Sequence, residues 1–430
     1  MNSTLQNLVE NNLKNRKGGI YSVCSSNEFV IKAAMAQALK DKSMLLIEST
    51  SNQVDQYGGY SGMTPTRFVE YVRKIATEEN FPSERIILGG DHLGPNAWQK
   101  KSAETAMKNA SILVSGYVFA GYKKIHLDAS MRCADDDSSI SPKVIAKRTA
   151  QLCKVAEDAG KNDLYYVIGS EVPLPGGAQE KLNHIKITNV VDVEETIELT
   201  KKEFYSIGLQ SAWDRVIAIV VQPGVEFGQS EVFYYDKMNA IELSKFIEKF
   251  GQFVYEAHST DFQKQEALNQ LVEDHFAILK VGPWFTFAFR EAIFALAEIE
   301  KEIFAGGKNT EISDIKNIVD IAMQKNLKYW QNHYDGAEKE IAFARKYSYS
   351  DRIRYYWPDG SVRAALSTLL NNLLNNSIPL SLLSQYLPNQ YDAVKEGRIS
   401  NLPTELIKDK IMEITKKYAI ATNSFNDCNL

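Results

Sequence analysis

The feature that most limits what this chain can fold into is a rhythm. Short β-rich apolar runs alternate eight times with longer amphipathic stretches. The runs are 19–25 (GIYSVCS), 44–49 (MLLIES), 85–92 (RIILGGDH), 123–130 (KKIHLDAS), 164–171 (LYYVIGSE), 216–222 (VIAIVVQ), 253–258 (FVYEAH) and 276–282 (FAILKVG). Between them apolar residues recur at spacings of three and four, the period of a helix with one buried face. Eight strand–helix units within roughly 300 residues predict a (β/α)8 TIM barrel. A doubly wound open sheet is the competing α/β arrangement, but the first strand–helix turn, Ser25-Ser26-Asn27, lacks a glycine-rich phosphate fingerprint. Past residue 305 the strands stop and only helical patterns follow. The chain therefore reads as a barrel over 1–304 with a helical extension over 305–430 packed on it, over its mouth in one reading. Thr64-Pro65 marks a helix start, a capping residue followed by proline at the first helical position. The 173–177 turn (PLPGG) forbids regular structure.

Composition excludes several classes of function. The 430 residues carry a net charge of −5, with 44% hydrophobic and 24% charged residues. That balance supports a large folded core and gives no basic footprint for nucleic acid. No apolar run approaches the ~20 residues a bilayer requires, and residues 1–17 lack the apolar centre of a secretory signal. Four cysteines without paired C-x-x-C spacing fit a reducing cytosol. The expectation is a cytoplasmic, oligomeric protein that contacts neither nucleic acid nor membrane.

TIM barrels place their chemistry at the carboxyl ends of the strands. Here those ends read Cys24-Ser25, Glu48, Asp91-His92, His126 with Asp128, Glu171, Gln222, Glu256 with His258, and Lys280. A barrel serving only as scaffold has little use for such a crowd of carboxylates and imidazoles. His92 and His258, with an oxygen from Glu171 or Gln222, can hold a divalent metal. Asp91, beside His92, is a candidate acid/base on a sugar hydroxyl or a helix cap. Glu171 is a candidate base, a ligand, or a buried carboxylate bonded to its neighbours. His126 and Asp128 are candidates for substrate contact. Asn52 and Gln53 offer amides to sugar hydroxyls or to their own loop. Lys280 and the backbone of Gly282 lie after the eighth strand, a common phosphate position in barrels, although Lys280 can equally pair with a nearby carboxylate. His184, His275 and His333 fall away from strand ends and read as structural. In 350–358 (SDRIRYYWP), Arg352 and Arg354 flank aromatics. Guanidinium groups recognise phosphate, but the favoured reading is a docking segment for the extension.

The stretches TSNQVDQYGGYSGMTP, RIILGGDHLGPN, KIHLDASM, YVIGSEVPLPGG, VIAIVVQPGVEF, YEAHSTD, HFAILKVGP and SDRIRYYWP resemble the Z-type subunit of tagatose-1,6-bisphosphate aldolase over nearly the whole chain. The resemblance implies a barrel related to the zinc-dependent class II aldolases. It also implies a non-catalytic accessory role beside a catalytic Y-type subunit, in galactitol and N-acetylgalactosamine catabolism. An older family label, tagatose-6-phosphate kinase, finds no P-loop or kinase glycine loop here, so neither ATP nor NAD is expected. In class II aldolases an Asp-His pair after strand three supplies acid/base and zinc ligand, and Asp91-His92 matches it. His258-Ser259-Thr260 stands where their second zinc histidine lies. Their remaining zinc histidine follows strand six, where this chain has Gln222-Pro223-Gly224. The expected cofactor is a divalent metal, zinc first, and the expected small-molecule partner a phosphorylated ketohexose. Two functions stay open: the accessory subunit, or a stand-alone C4 epimerase of tagatose 6-phosphate working by retro-aldol and aldol steps.

Overall fold

A computed structural model describes residues 4–160, 163–172, 185–305 and 311–422. The 173–177 turn, His184 and Cys428 lie outside the described residues. Eight parallel strands close into a barrel: β1 Ile20–Cys24, β2 Leu45–Thr50, β3 Ile86–Leu93, β4 Lys124–Leu127, β5 Tyr165–Ile168, β6 Val216–Val221, β7 Val254–Ala257 and β8 Phe276–Val281. Each pairs with its neighbours in sequence, and β8 closes onto β1 with Ile20 opposite Ile278. All eight strands expected from the rhythm are present. Alternate residues face opposite sides of a strand, so each run divides its side chains between two cores. Ile47, Ile125, Tyr255 and Leu279 join the large outer core beneath the helices. Leu46, Ile87, Val220, Val254 and Ile278 fill the barrel's interior.

That interior core is apolar only at its amino end, where it takes in a helix over Thr4–Asn15. Leu5, Leu8 and Val9 on this helix plug the bottom of the barrel. Asn12 fixes the plug by donating to Val272 O at 3.0 Å and bonding His275 Nδ1 at 2.9 Å. Further along the same inward faces come Glu48, Lys124, His126, Glu256 and Lys280, all buried. The barrel is thus oily at one end and ionic at the other.

Helix starts follow local chemistry. Asn27 caps the helix Glu28–Asp41 by accepting from Phe29 N and Val30 N. At Thr64-Pro65 the helix Pro65–Glu78 begins as expected, but Thr64 makes no side-chain capping bond, and the fixed φ of Pro65 sets the start. After the barrel helix Pro283–Phe304 the described residues form helices and no further strand up to Ala421. Its last helix, Pro403–Ala421, packs against Glu28–Asp41, Gln265–Glu273 and Pro283–Phe304. Tyr418 of that helix donates to Thr260 O at 2.7 Å, and Gly19 N donates to Thr422 O at 3.0 Å. One apolar cluster runs from Val30 through Phe285 to Tyr418, so the late helices share the barrel's outer core.

Candidate active site

The site grows from one row across the sheet. Glu48 on β2 stands opposite Gly89 on β3, and Gly89 opposite Lys124 on β4. A Cβ on Gly89 would lie 2.5 Å from Glu48 Oε1. The glycine therefore clears the space through which Glu48 reaches Lys124. Lys124 Nζ sits 2.5 Å from Glu48 Oε1 and 2.6 Å from Glu256 Oε2, with all three side chains fully buried. Lys280 Nζ joins by pairing with Glu48 Oε2 and, at 2.9 Å, with Asp91 Oδ2. Burial alone would strip the proton from either lysine. The surrounding carboxylates outweigh it and hold both ammonium groups above the usual lysine range.

Above this lattice three imidazoles meet. The ring centroids of His92, His126 and His258 form a near-equilateral triangle with sides of 5.3, 5.3 and 5.0 Å. Each ring is aimed by a carboxylate, the usual way of fixing a histidine's tautomer. His92 Nδ1 bonds Asp128 Oδ2 at 2.8 Å, His126 Nδ1 bonds Asp91 Oδ1 at 2.8 Å, and His258 Nε2 bonds Glu256 Oε1 at 3.0 Å. His92 itself adopts φ +50°, a left-handed backbone unusual for a non-glycine residue. Such strain persists where the surroundings over-determine it, and clusters at functional sites.

The charge states differ. Burial pushes Asp91 up, but His92, Lys280, His126 and His258 together hold it well below the usual carboxylate range. Asp128 goes down to about 2, as the bond to His92 overcomes its burial. His92 is hindered by burial yet raised overall by Asp91 and Asp128, while burial drives His258 down to about 3, leaving it neutral.

These residues suit a divalent metal. Asp91, His126, Glu256 and His258 bring one ligand atom each to within 4.8 Å of one another. His126 Nε2 is buried without a hydrogen-bond partner, while its Nδ1 lies 2.8 Å from Asp91 Oδ1 and 3.3 Å from the donor His92 N. Four buried carboxyl groups (Glu48, Asp91, Asp128, Glu256) crowd around two ammonium groups (Lys124, Lys280) and the raised imidazole of His92. Carboxyl groups outnumber the ammonium groups there, so a divalent cation would be held by buried oxygen and nitrogen donors that are costly to leave uncompensated.

The pocket above the cluster is lined by Asp91, His92, His258 and Lys280 from the barrel, by Asn52, Gln53 and Tyr60 from the loop after β2, by Asp261 and Gly282, and by Arg354 and Tyr355 from the extension. The expected residues divide accordingly. Asp91, His92, His126, Asp128, His258 and Lys280 converge, and His126 supplies from β4 the third imidazole that the region after strand six lacks. Glu171 does not converge: β5 ends at Ile168, and its half-exposed carboxylate faces Lys186 at 3.9 Å. Nor does Gln222, whose Oε1 accepts from Gly224 N at 2.8 Å and Val225 N at 3.0 Å, which turns it onto its own loop. Neither is positioned as a ligand. Gln53 reaches Thr50 N at 2.9 Å and Cys24 O at 3.4 Å, while Asn52 is exposed at the rim. Gly282 N donates to Asp261 Oδ1 at 3.1 Å and Lys280 is ion-paired, so both phosphate candidates already have partners.

The sequence reading leaves out Lys124 and Asp261, and takes Arg354 as part of a docking segment rather than as a pocket residue. Lys124 shares an inward face with His126 two residues on, a signal present in the KIH spacing. Asp261 follows the strand-end rule at one remove; burial raises its pKa to about 6 against the opposing bonds from Trp284 N and Gly282 N. Arg354 carries a local signal in the SDRIRYYWP segment, but nothing local tells that it reaches this pocket from the late part of the chain.

Comparison with known proteins follows this geometry. A family model described as D-tagatose-1,6-bisphosphate aldolase subunit GatZ/KbaZ-like matches residues 5–423. The chain is 39% identical to a protein from Sinorhizobium meliloti 1021 described as a probable tagatose 6 phosphate kinase; the match covers 94% of this chain and 100% of that one, with a TM-score of 0.87. Two aldolases superpose far more loosely. For YdjI from Escherichia coli K12 the identity is 12%, the coverage 85% and 100%, and the TM-score 0.41. For the Campylobacter jejuni fructose-bisphosphate aldolase they are 14%, 85% and 91%, and 0.45. With a single family description spanning nearly every described residue, this chain belongs to the GatZ/KbaZ-like family of D-tagatose-1,6-bisphosphate aldolase subunits.

Proposed function

We propose that this chain acts on a phosphorylated ketohexose by reversible cleavage of its C3–C4 bond, inverting C4 of tagatose 6-phosphate or a related ketose. The observation that carries the reading is the triangle of carboxylate-aimed imidazoles, two of which, His92 and His258, line a pocket, with His126 Nε2 buried and unpartnered beside them. A 2-ketose cannot epimerise at C4 by simple proton abstraction, because that carbon is not adjacent to the carbonyl. Cleavage avoids the difficulty. A base takes the proton of the C4 hydroxyl, and the C3–C4 electron pair moves toward the C2 carbonyl. An enediolate and an aldehyde result; the aldehyde turns, and the bond re-forms on its other face.

The residues divide the work. Asp91 is kept ionised by Lys280 and the histidines, lines the pocket, and accepts the C4 hydroxyl proton before returning it. Asp261, at about 6, is a second pocket carboxylate able to hold a proton near neutral pH. His126 and His258, with Asp91 or Glu256, would hold a divalent cation, zinc suiting that donor set. Such an ion, when bound, supplies positive charge against the developing enediolate. Lys124 and Lys280 hold the carboxylates in register.

A second reading rests on the family's description as an aldolase subunit: a non-catalytic partner that supports a Y-type catalytic subunit in galactitol or N-acetylgalactosamine breakdown, within the cytoplasm. One experiment separates the two. Purified chain, supplied with zinc, is incubated with tagatose 6-phosphate, and fructose 6-phosphate is followed by NMR. Turnover that Asp91→Asn and His126→Asn abolish supports the epimerase. A protein inert alone that raises the activity of an added Y-type subunit supports the accessory role and overturns the first reading.

A further inference from the structure

We propose that the late helical region supplies the anion clamp of this site, with Arg354 binding the terminal phosphate of the sugar; this rests on the sugar-phosphate reading above. Two cationic side chains that line the pocket are Lys280 and Arg354. Lys280 is spent on Asp91 and Glu48. The backbone donor after β8, Gly282 N, is spent on Asp261, as is Trp284 N at 2.7 Å. The barrel's own rim therefore presents a carboxylate where many barrels present phosphate donors.

Arg354 is placed differently. Its guanidinium bonds only neutral oxygens: Ser350 O, Asp351 O at 3.0 Å and Tyr355 Oη at 2.9 Å. Elsewhere in the fold buried arginines face carboxylates, as Arg345 does Asp320 at 2.7 Å and Arg148 does Asp136 at 2.6 Å. Among the described residues no carboxylate oxygen comes within 4.0 Å of Arg354. Arg352 places a second guanidinium on the same phenol, at 3.3 Å from Tyr355 Oη. Two guanidinium groups around one hydroxyl, beside an open pocket, are an anion site by composition. They also hold the Tyr355 phenol, despite its burial, below the ordinary tyrosine range, which makes its proton a stronger hydrogen-bond donor.

The clamp is rigid. Asp351, at φ +46°, accepts from Thr286 Oγ1 at 2.6 Å on the last barrel helix, and Trp357 meets Phe289 edge-on at 4.9 Å. Tyr355 stacks on Tyr329 at 4.8 Å and receives Tyr60, from the loop after β2, edge-on at 4.5 Å. The docking role expected for this segment and an anion-binding role thus fall to different residues of it. Asp351 and Trp357 dock; Arg354 and Tyr355 face the pocket.

The test compares tagatose 6-phosphate with tagatose on Arg354→Met and Arg354→Lys, in full-length protein whose folding is checked by circular dichroism. Loss of a charge-assisted contact predicts a KM for the phosphorylated sugar raised about 10- to 100-fold in Arg354→Met. The unphosphorylated sugar should keep its kcat/KM, and Arg354→Lys should recover part of the loss. Equal losses on both sugars overturn the inference. If the wild type turns over neither sugar, the functional reading has failed, and inorganic phosphate binding by calorimetry decides the clamp alone. Binding that Arg354→Met removes, or Arg354→Lys weakens should the Met variant not fold, upholds it. No binding by the wild type, or unchanged binding by the variant, overturns it.

Discussion

Replacing Lys124 by methionine tests the ionic lattice at its centre. The substitution keeps most of the side chain's length and deletes one charge, leaving Glu48 and Glu256 fully buried. Glu48 keeps Lys280, but Glu256 is left with His258 and the more distant charge of Lys280. Removing one partner of a buried pair costs about 3–5 kcal/mol, because the charge left behind is uncompensated. With two carboxylates affected, the upper part of that range is expected. Unfolding entropy of about 2.1 cal/mol/K per residue over 430 residues gives ~0.9 kcal/mol/K, so Tm falls by ~4–5 °C. The pH dependence carries the sharper signature. In the wild type Lys124 and Lys280 overcome burial and hold Glu256 far below its usual range. Its contribution is therefore present above the unfolded pKa near 4.5 and lost as pH falls below it. In the variant only Lys280 and His258 oppose the burial of Glu256, so its carboxyl moves upward and the penalty, fully present at pH 8, fades as pH falls and the group takes up a proton. Urea unfolding followed by tryptophan fluorescence at pH 8, 7, 6 and 5 measures both effects. Adding Glu256→Gln to Lys124→Met should restore a large part of the loss. A destabilisation below 1 kcal/mol at pH 8, or one independent of pH, refutes the account.

Three further outcomes follow from the packing of single side chains. Glu226 is buried and raised to about 7; its folded pKa exceeds the unfolded value, so its charge weakens the fold above pH 5, and Glu226→Gln should stabilise by up to roughly 3 kcal/mol at pH 8 with no gain at pH 4, read by thermal melts. Gly89→Ala forces a Cβ to within 2.7 Å of Glu48 Cγ; a loss of about 1–3 kcal/mol is expected for such overpacking, and a neutral result by chemical denaturation would mean that Glu48 can move aside. Tyr418→Phe removes the bond to Thr260 O and should cost about 1–3 kcal/mol for the buried acceptor left unpaired, with faster hydrogen exchange in Pro403–Ala421; unchanged exchange would show that apolar packing alone holds that helix.

The strands were legible because a barrel strand is buried on both faces, so its apolar run stands out against amphipathic helices. The strand-end rule found most of the ionic cluster for the same reason, since few other forces put His92, His126 or His258 straight after such runs. It failed at Glu171 and Gln222 because a run of sequence tells where a strand stops only to within a few residues. Glu171 lies three residues past β5, and Gln222 satisfies its own turn. The helix Thr4–Asn15 escaped notice since Leu5, Leu8 and Val9 make only a thin stripe on an otherwise polar segment. Lys124 escaped because a lysine within a strand suggests solvent, and only the register across Gly89 to Glu48 reveals a partner. Arg354 was legible as an anion-binding side chain but not as a pocket residue, its place there being set by Asp351 and Trp357 docking on a helix some seventy residues earlier.

The seat of the helix Pro403–Ala421 has a consequence for how the protein is made. It lies against the helix that follows the first strand and the helix that follows the eighth, and its end meets Gly19. A ribosome must therefore deliver nearly four hundred residues before the flank of Glu28–Asp41 is covered. During that interval an oily surface stays open on an otherwise assembled cylinder, where a chaperone can bind and aggregation can begin. Shortening the gene from its 3′ end would then harm solubility before it touched chemistry.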